Sequence, residues 1–205
     1  MQLIYAAYTC SLAPHVILRE EGLPFTLVRV DRASRILEDG RRLDEVNPKG
    51  VVPILELDDG QRLTEVAVIL QYLADLRPEA GLAPPPGTLA RYRMLEWLNF
   101  VATEVHKAFW PIFHDGAPIE IEHARAALGR RLTWIEGQLG EREVLVGDRF
   151  GIADAYLFVT LSWTRAAGID LNAWPKLKAY AGRIRKRPTV VAALEAEGLV
   201  KPAAA

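Results

Sequence analysis

The feature that most limits what this chain can fold into is a change of pattern at one point. Ala83-Pro84-Pro85-Pro86-Gly87 lacks helix and strand potential, and the stretches on either side of it follow different periods. Before it, short apolar runs alternate with helical patterns. Gln2 to Ala6 reads as a strand, and Leu12 to Glu21 as a helix closed by Gly22. Phe25 to Val30 reads as a second strand with apolar residues on both faces, which a sheet covered on both sides requires. Ser34 to Val46 is helical or irregular, with Gly40 weighing against a single helix. Val52 to Leu57 and Arg62 to Thr64 flank the hairpin signal Asp58-Asp59-Gly60. Glu65 to Leu76 then carries apolar residues at 66, 69, 70 and 73, a helical face that stops before Pro78. A crossover unit followed by a hairpin and a covering helix predicts a mixed four-stranded sheet.

Beyond the prolines the strand patterns disappear. Residues 88 to 113 place apolar side chains at 95, 98, 101, 102, 105, 109 and 112, close to a 3.6 period. Similar patterns recur at about 118–139, 152–167, 174–187 and 189–196, which predicts a helix bundle. The expected organisation is an α/β domain over 1–78, a linker over 79–87 and an all-helical domain over 88–205. At 205 residues the chain can bury a core for each part.

Charge and composition narrow the function. With 25 basic and 26 acidic residues the net charge is -1, which lacks the electrostatic footprint of a nucleic-acid binder. The basic run Arg183-Ile184-Arg185-Lys186-Arg187 ends a helical pattern, where cations complement the dipole. No apolar stretch approaches the roughly 18 residues of a membrane span, so no membrane partner is expected. The first residues enter a strand pattern without a signal-peptide grammar, and the cytoplasm is the expected compartment. The single cysteine excludes an internal disulfide and a Cys-x-x-Cys pair.

Four positions are candidates for chemistry. Cys10 falls between the first strand and the first helix, flanked by Thr9 and Ser11, either of which is a possible cap. A thiol at a helix N-terminus is made acidic by the dipole, whereas a buried one is inert. Pro53 opens a strand after a glycine turn, where a cis bond would leave the backbone of Val52 open to an extended ligand. Glu65 starts a helix, where a carboxylate is favoured by the dipole and could also hold a ligand ammonium. His106, on the face of Ala102, Val105 and Phe109, is either a buried structural histidine or a site residue. Trp163 and Arg165 are weaker candidates of the same kind. His15, His114 and His123 share no metal-ligand spacing with one another or with Cys10, and no metal is expected.

These elements together resemble a known family. Tyr5, Cys10-Ser11-Leu12-Ala13 and His15, Asn47-Pro48-Lys49-Gly50 with Val52-Pro53, and Thr64-Glu65 followed by Gln71-Tyr72-Leu73-Ala74-Asp75 are similar to bacterial beta-class glutathione transferases. So are Glu96-Trp97-Leu98-Asn99, Ala102-Thr103-Glu104, His106-Lys107 and Ile152-Ala153-Asp154-Ala155-Tyr156. The resemblance covers nearly the whole chain in order. It implies a thioredoxin-like N-terminal domain, an all-helical C-terminal domain and a homodimer. It implies further that Val52, before cis-Pro53, pairs with the cysteinyl backbone of glutathione, while Glu65 holds the γ-glutamyl ammonium and the Val66 N–H its carboxylate. Arg35 stands where the family usually has a lysine near the glycyl carboxylate. Cys10 would lie beside the glutathione sulfur and could form a mixed disulfide with it. His106 and Lys107 would line the sulfur side, and Asn99 and Glu104 would reach the site across the dimer.

Two departures from the family pattern stand out. Val66 replaces the usual Ser or Gly, removing a hydroxyl contact of roughly 1 kcal/mol and adding β-branched bulk near the ligand. Gly151 replaces the usual Ser or Thr cap of the core helix. The implied activity is attack of the glutathione thiolate on a small hydrophobic electrophile, with no cofactor beyond glutathione as substrate. Thiol-disulfide chemistry through Cys10, glutathione-dependent isomerisation or dehalogenation, and a non-catalytic binding or regulatory role on the same fold are the alternatives.

Overall fold

A computed structural model describes residues 1–201. Contacts divide the chain into two compact units, one formed by Met1–Ala80 with the chain from Arg187 onward, the other by Gly81–Lys186.

The first unit runs β1 (Gln2–Tyr5), α1 (Leu12–Glu20), β2 (Thr26–Arg29), the single turn α2 (Leu43–Val46), β3 (Ile54–Glu56), β4 (Arg62–Thr64) and α3 (Val66–Leu76). The sheet order is β2-β1-β3-β4, with β1 parallel to β2 and antiparallel to β3, and β3 antiparallel to β4. The mixed four-stranded sheet expected from the sequence is therefore present. Register puts Ile4 beside Val28 and Ile54, and this face is closed by Leu37, Leu43 and Val46. On the other face Tyr5 meets His15 of α1, with ring centroids 6.4 Å apart. The segment 34–46 resolves as two isolated bridges, Val30 to Leu37 and Ile36 to Arg42, before α2.

A helix over Pro188–Ala196 also belongs to this unit, whereas the sequence reading grouped it with the helical half. Side chains distant in sequence join it to α1. His15 Nδ1 lies 2.8 Å from Glu197 Oε1, and Arg187 makes two hydrogen bonds of 2.8 and 3.0 Å to Glu20. Arg19 Nε donates to His15 Nε2 at 2.8 Å. Arginine has only donors, so Nε2 accepts and the proton sits on Nδ1, which donates to the buried Glu197.

The second unit is helical: α4 (Leu89–Phe100), α5 (Trp110–Phe113), α6 (Pro118–Leu139), α7 (Ile152–Ser162) and α8 (Pro175–Arg185), with α9 being the Pro188–Ala196 helix above. The single helix expected over 88–113 changes its winding, through a π-helical stretch at Val101–His106 and a 3-10 turn at Lys107–Phe109. Pro111 has no N–H to give the Lys107 carbonyl, which takes the N–H of Trp110 instead. α7 is buried from Ile152 to Leu161 and forms the centre of the unit. Its start is held by Asp154, whose carboxylate accepts from Leu145 N–H (2.8 Å), Gly151 N–H (2.9 Å) and Tyr180 Oη (2.7 Å). A Cβ at Gly151 would meet the Leu82 carbonyl oxygen at 2.7 Å. That same carbonyl accepts the Ile152 N–H at 3.0 Å, which accounts for glycine at this cap.

Candidate ligand site

In the first unit the site is built where three elements end. The Val52–Pro53 bond is cis. Val52 lies just outside β3, and among the described residues its N–H has no hydrogen-bond partner. Its carbonyl faces Cys10, with Sγ 3.7 Å away. The strand edge is thus open at one residue, as the proline predicted.

Of the two alternatives for Cys10, the geometry gives the buried thiol. The residue is 7% exposed, and burial pushes the pKa of its thiol up to about 12. Its own N–H pulls the other way and the charge of Glu65 adds to the rise. Burial outweighs the helix end, so the Cys10 thiol stays protonated at neutral pH. Neither Thr9 nor Ser11 caps α1. Both hydroxyls turn back to Ala6: Thr9 Oγ1 donates to its carbonyl at 2.7 Å, and Ser11 Oγ accepts its N–H at 3.3 Å. These bonds fix the loop that delivers Cys10.

Glu65 sits at the start of α3 with φ +71° and ψ +118°, outside the wells L residues favour. The N–H groups of Val66 and Ala67 open the first turn, where no intrahelical acceptor exists. The exposed Glu65 carboxylate receives Lys49 Nζ at 2.6 Å, and the same ammonium reaches Thr64 Oγ1 at 2.8 Å. A primary ammonium therefore already occupies the place expected for a ligand ammonium. Lys49 had no assigned role in the sequence reading; it stands 16 residues from Glu65, beyond any local pattern. Val66 is 6% exposed, so its bulk turns into the core rather than toward a ligand. Arg35, with φ +61°, pairs with Asp44 and donates to the Gly50 carbonyl at 3.2 Å. A side chain at Gly50 would run into that guanidinium.

The helical unit groups the remaining candidates by pairs. His106, at the end of the π-helical stretch, lies 2.8 Å from Tyr156 Oη through Nδ1, with Trp163 edge-on at 5.0 Å between centroids. Trp163 also meets Phe109 and Phe113. Tyr156 stands inside the quoted α7 motif, but nothing local in the sequence paired it with His106. Lys107 Nζ lies 5.3 Å from the centroid of Trp110. Glu104 is bound by Arg131, with Nε at 3.0 Å and Nη2 at 2.5 Å. Asn99, exposed on α4, accepts the Thr103 hydroxyl on its carbonyl at 3.0 Å. It lines a groove of about 430 Å³ with Leu89, Tyr92 and Leu95. Arg165 is exposed. Among the described residues no group of three His, Cys, Asp or Glu is placed to hold a metal, and no helix is long and apolar enough to cross a membrane.

A thioredoxin-like unit with an open residue before a cis-proline and a carboxylate at a helix start, joined in sequence to a helical unit, is the two-domain architecture that the resemblance implied. Comparison with known proteins makes it specific. Residues 9–76 match the model of the glutathione S-transferase N-terminal domain, and residues 100–188 that of the C-terminal domain. The chain is 46% identical to glutathione S-transferase GstA of Escherichia coli O157:H7, covering 97% of this chain and 100% of the relative. A bacterial beta-class glutathione S-transferase of Sphingomonas chungbukensis superposes with a TM-score of 0.94 at 47% identity, over 98% of this chain and 100% of that one. A sphingomonad glutathione S-transferase complexed with glutathione gives a TM-score of 0.94 at 46% identity, with the same coverage. The chain belongs to the glutathione S-transferase family.

Proposed function

We propose that this transferase binds glutathione on its first unit and transfers the thiolate to small hydrophobic electrophiles. The observation that carries the reading is the Glu65 carboxylate at the start of α3, already holding a primary ammonium 2.6 Å away. The γ-glutamyl end of glutathione offers the same ammonium, with a carboxylate for the N–H groups of Val66 and Ala67. The cysteinyl backbone pairs with Val52 beside Pro53, as an added strand pairs with an edge. Arg35 supplies the cation for the glycyl carboxylate by exchanging part of its pairing with Asp44.

Chemistry requires the thiol to lose its proton to solvent, after which sulfur attacks the electrophile. For a halide substrate, the C–S bond forms as the halide leaves with the bonding pair. The positive end of α1 and the Cys10 N–H stabilise the thiolate, and His106 and Lys107 are assigned as further donors. Asn99 and Glu104 act across a homodimer in this reading, and the protein works in the cytoplasm, in detoxification, without a cofactor beyond glutathione. The domain roles follow: 1–78 takes glutathione, 79–87 links, and 88–205 shapes the electrophile site. Cys10 is assigned as a neighbour of the sulfur; a thiol held up to about 12 is a poor nucleophile for disulfide exchange at neutral pH.

Calorimetric titration with reduced glutathione, beside Glu65→Ala, tests the reading. Saturable binding that the variant weakens at least tenfold supports it. No binding by the wild-type protein at millimolar glutathione overturns it in favour of a different thiol ligand or a non-catalytic binding role.

A further inference from the structure

The turn that leads into β3 carries a cation that the chemistry above does not use. Asn47, buried after α2, staples this turn: its Nδ2 donates to the Val51 carbonyl at 2.8 Å, and its Oδ1 accepts the Lys49 N–H at 3.1 Å. The Asn47 carbonyl accepts the Gly50 N–H at 2.7 Å, and Arg35 donates to the Gly50 carbonyl at 3.2 Å. The backbone of residues 47–51 is thereby fixed, and it leads directly into Val52 at the open strand edge. The Lys49 side chain is different. It is an exposed, flexible four-carbon stem, and among the described residues it is anchored only at its tip. There Nζ lies 2.6 Å from Glu65 Oε1 and 2.8 Å from Thr64 Oγ1. Two of the three ammonium donors are thus taken, in the way a ligand ammonium would meet the same carboxylate. Lys49 and the ammonium of a γ-glutamyl ligand are rivals for one group.

We propose that Lys49 is a specificity-determining residue: an internal counter-ion for Glu65 that glutathione must displace and that a thiol without an ammonium leaves in place. This rests on the transferase reading above. When glutathione enters, its ammonium takes Glu65 and the lysine turns out to water, an exchange of one exposed ion pair for another. The apparent affinity for glutathione is lowered by the fraction of molecules in which Lys49 holds Glu65. A ligand that keeps the thiol and both carboxylates but lacks the ammonium has no such exchange to make. Lys49 stays on Glu65 and neutralises it, so the ligand carboxylate reaches the Val66 and Ala67 N–H groups without facing a bare like charge. The site accordingly takes carboxyacyl-cysteinyl thiols as well as glutathione, and Lys49 narrows the difference between the two.

Calorimetry with glutathione and with its deamino analogue, glutaryl-cysteinylglycine, tests this on the wild-type protein, Lys49→Met, Glu65→Gln and the double variant. In Lys49→Met the glutathione Kd should fall roughly two- to fivefold, the range an exposed ion pair can withhold. That gain comes although the site has lost a cation and the ligand is a net anion. The analogue should bind more weakly in the same variant, so the ratio of the two Kd values widens by about threefold or more. With Glu65→Gln already present, Lys49→Met should change the ratio by less than about twofold, because no carboxylate is left to contest. Weaker glutathione binding in Lys49→Met, or an unchanged ratio, would overturn the proposal. So would an equal widening in the Glu65→Gln background, which would reduce Lys49 to a long-range attraction for the more negative ligand. A wild-type protein that binds glutathione but does not measurably bind the analogue overturns this proposal alone. One that binds neither overturns the transferase reading and this proposal with it.

Discussion

Replacing Asp154 with alanine should cost this protein more stability than any substitution in its ligand site. The side chain is 1% exposed and gathers three donors: two backbone N–H groups that open and flank α7, and the phenol of Tyr180 in α8. Each donor left buried without an acceptor costs about 1–3 kcal/mol, and the lost cap overlaps with the Gly151 bond among them. Burial of the carboxylate, which also raises its pKa, offsets part of that gain in the native protein. The net loss is therefore set at about 3–5 kcal/mol, or a fall in Tm of roughly 6–20 °C for a chain of this size. All five tryptophans, Trp97, Trp110, Trp134, Trp163 and Trp174, lie in the helical unit, so denaturant titration followed by tryptophan fluorescence reports on the right part of the molecule. Tyr180→Phe alone should cost about 1–2 kcal/mol. In the Asp154→Ala background it should cost nothing measurable, because the acceptor has gone. A loss under about 1 kcal/mol for Asp154→Ala, or strict additivity of the two losses, would refute the assigned network.

Two further outcomes follow from buried groups of the first unit. With burial pushing the Cys10 pKa up to about 12, well above that of an ordinary thiol, the thiolate is about a thousandfold scarcer at pH 8 and its higher nucleophilicity recovers part of that. Iodoacetamide should then label Cys10 at least about thirtyfold more slowly than free glutathione at pH 8, and equal rates by mass spectrometry would show an accessible, acidic thiol. Glu21 is 3% exposed, has no hydrogen-bond partner on either carboxyl oxygen, and is pushed by burial, against the charge of Arg77, to a pKa of about 7. Because folding raises this pKa, the folded chain keeps a proton that the unfolded chain releases, and stability falls as pH rises from about 4.5 to about 7. Glu21→Gln should stabilise the protein by about 1–3 kcal/mol at pH 8 and leave it unchanged at pH 4; equal effects at both pH values in denaturant titration would contradict this.

What the sequence determined by itself was whatever a short window can carry. Alternation at period 2 and 3.6, broken at Gly22, Asp58-Asp59-Gly60 and the proline run, specifies the strand and helix order of the first unit, because those signals act within a few residues. Cys10, Pro53 and Glu65 were legible for the same reason: each sits where one element gives way to the next, and residue type there has a local physical meaning. The tertiary structure decided everything that depends on partners far along the chain. The protonation of Cys10 follows from burial, not from its place at a helix end. Lys49 covers Glu65 across 16 residues, and Tyr156 meets His106 across 50. The last helix lies on α1 through a His15–Glu197 bond spanning 182 residues, which no periodicity can announce. Local pattern sets which elements form, because it is written in backbone preference and the spacing of apolar side chains. The charge state and aim of each site residue are set by desolvation and by contacts that exist only once the chain has closed on itself.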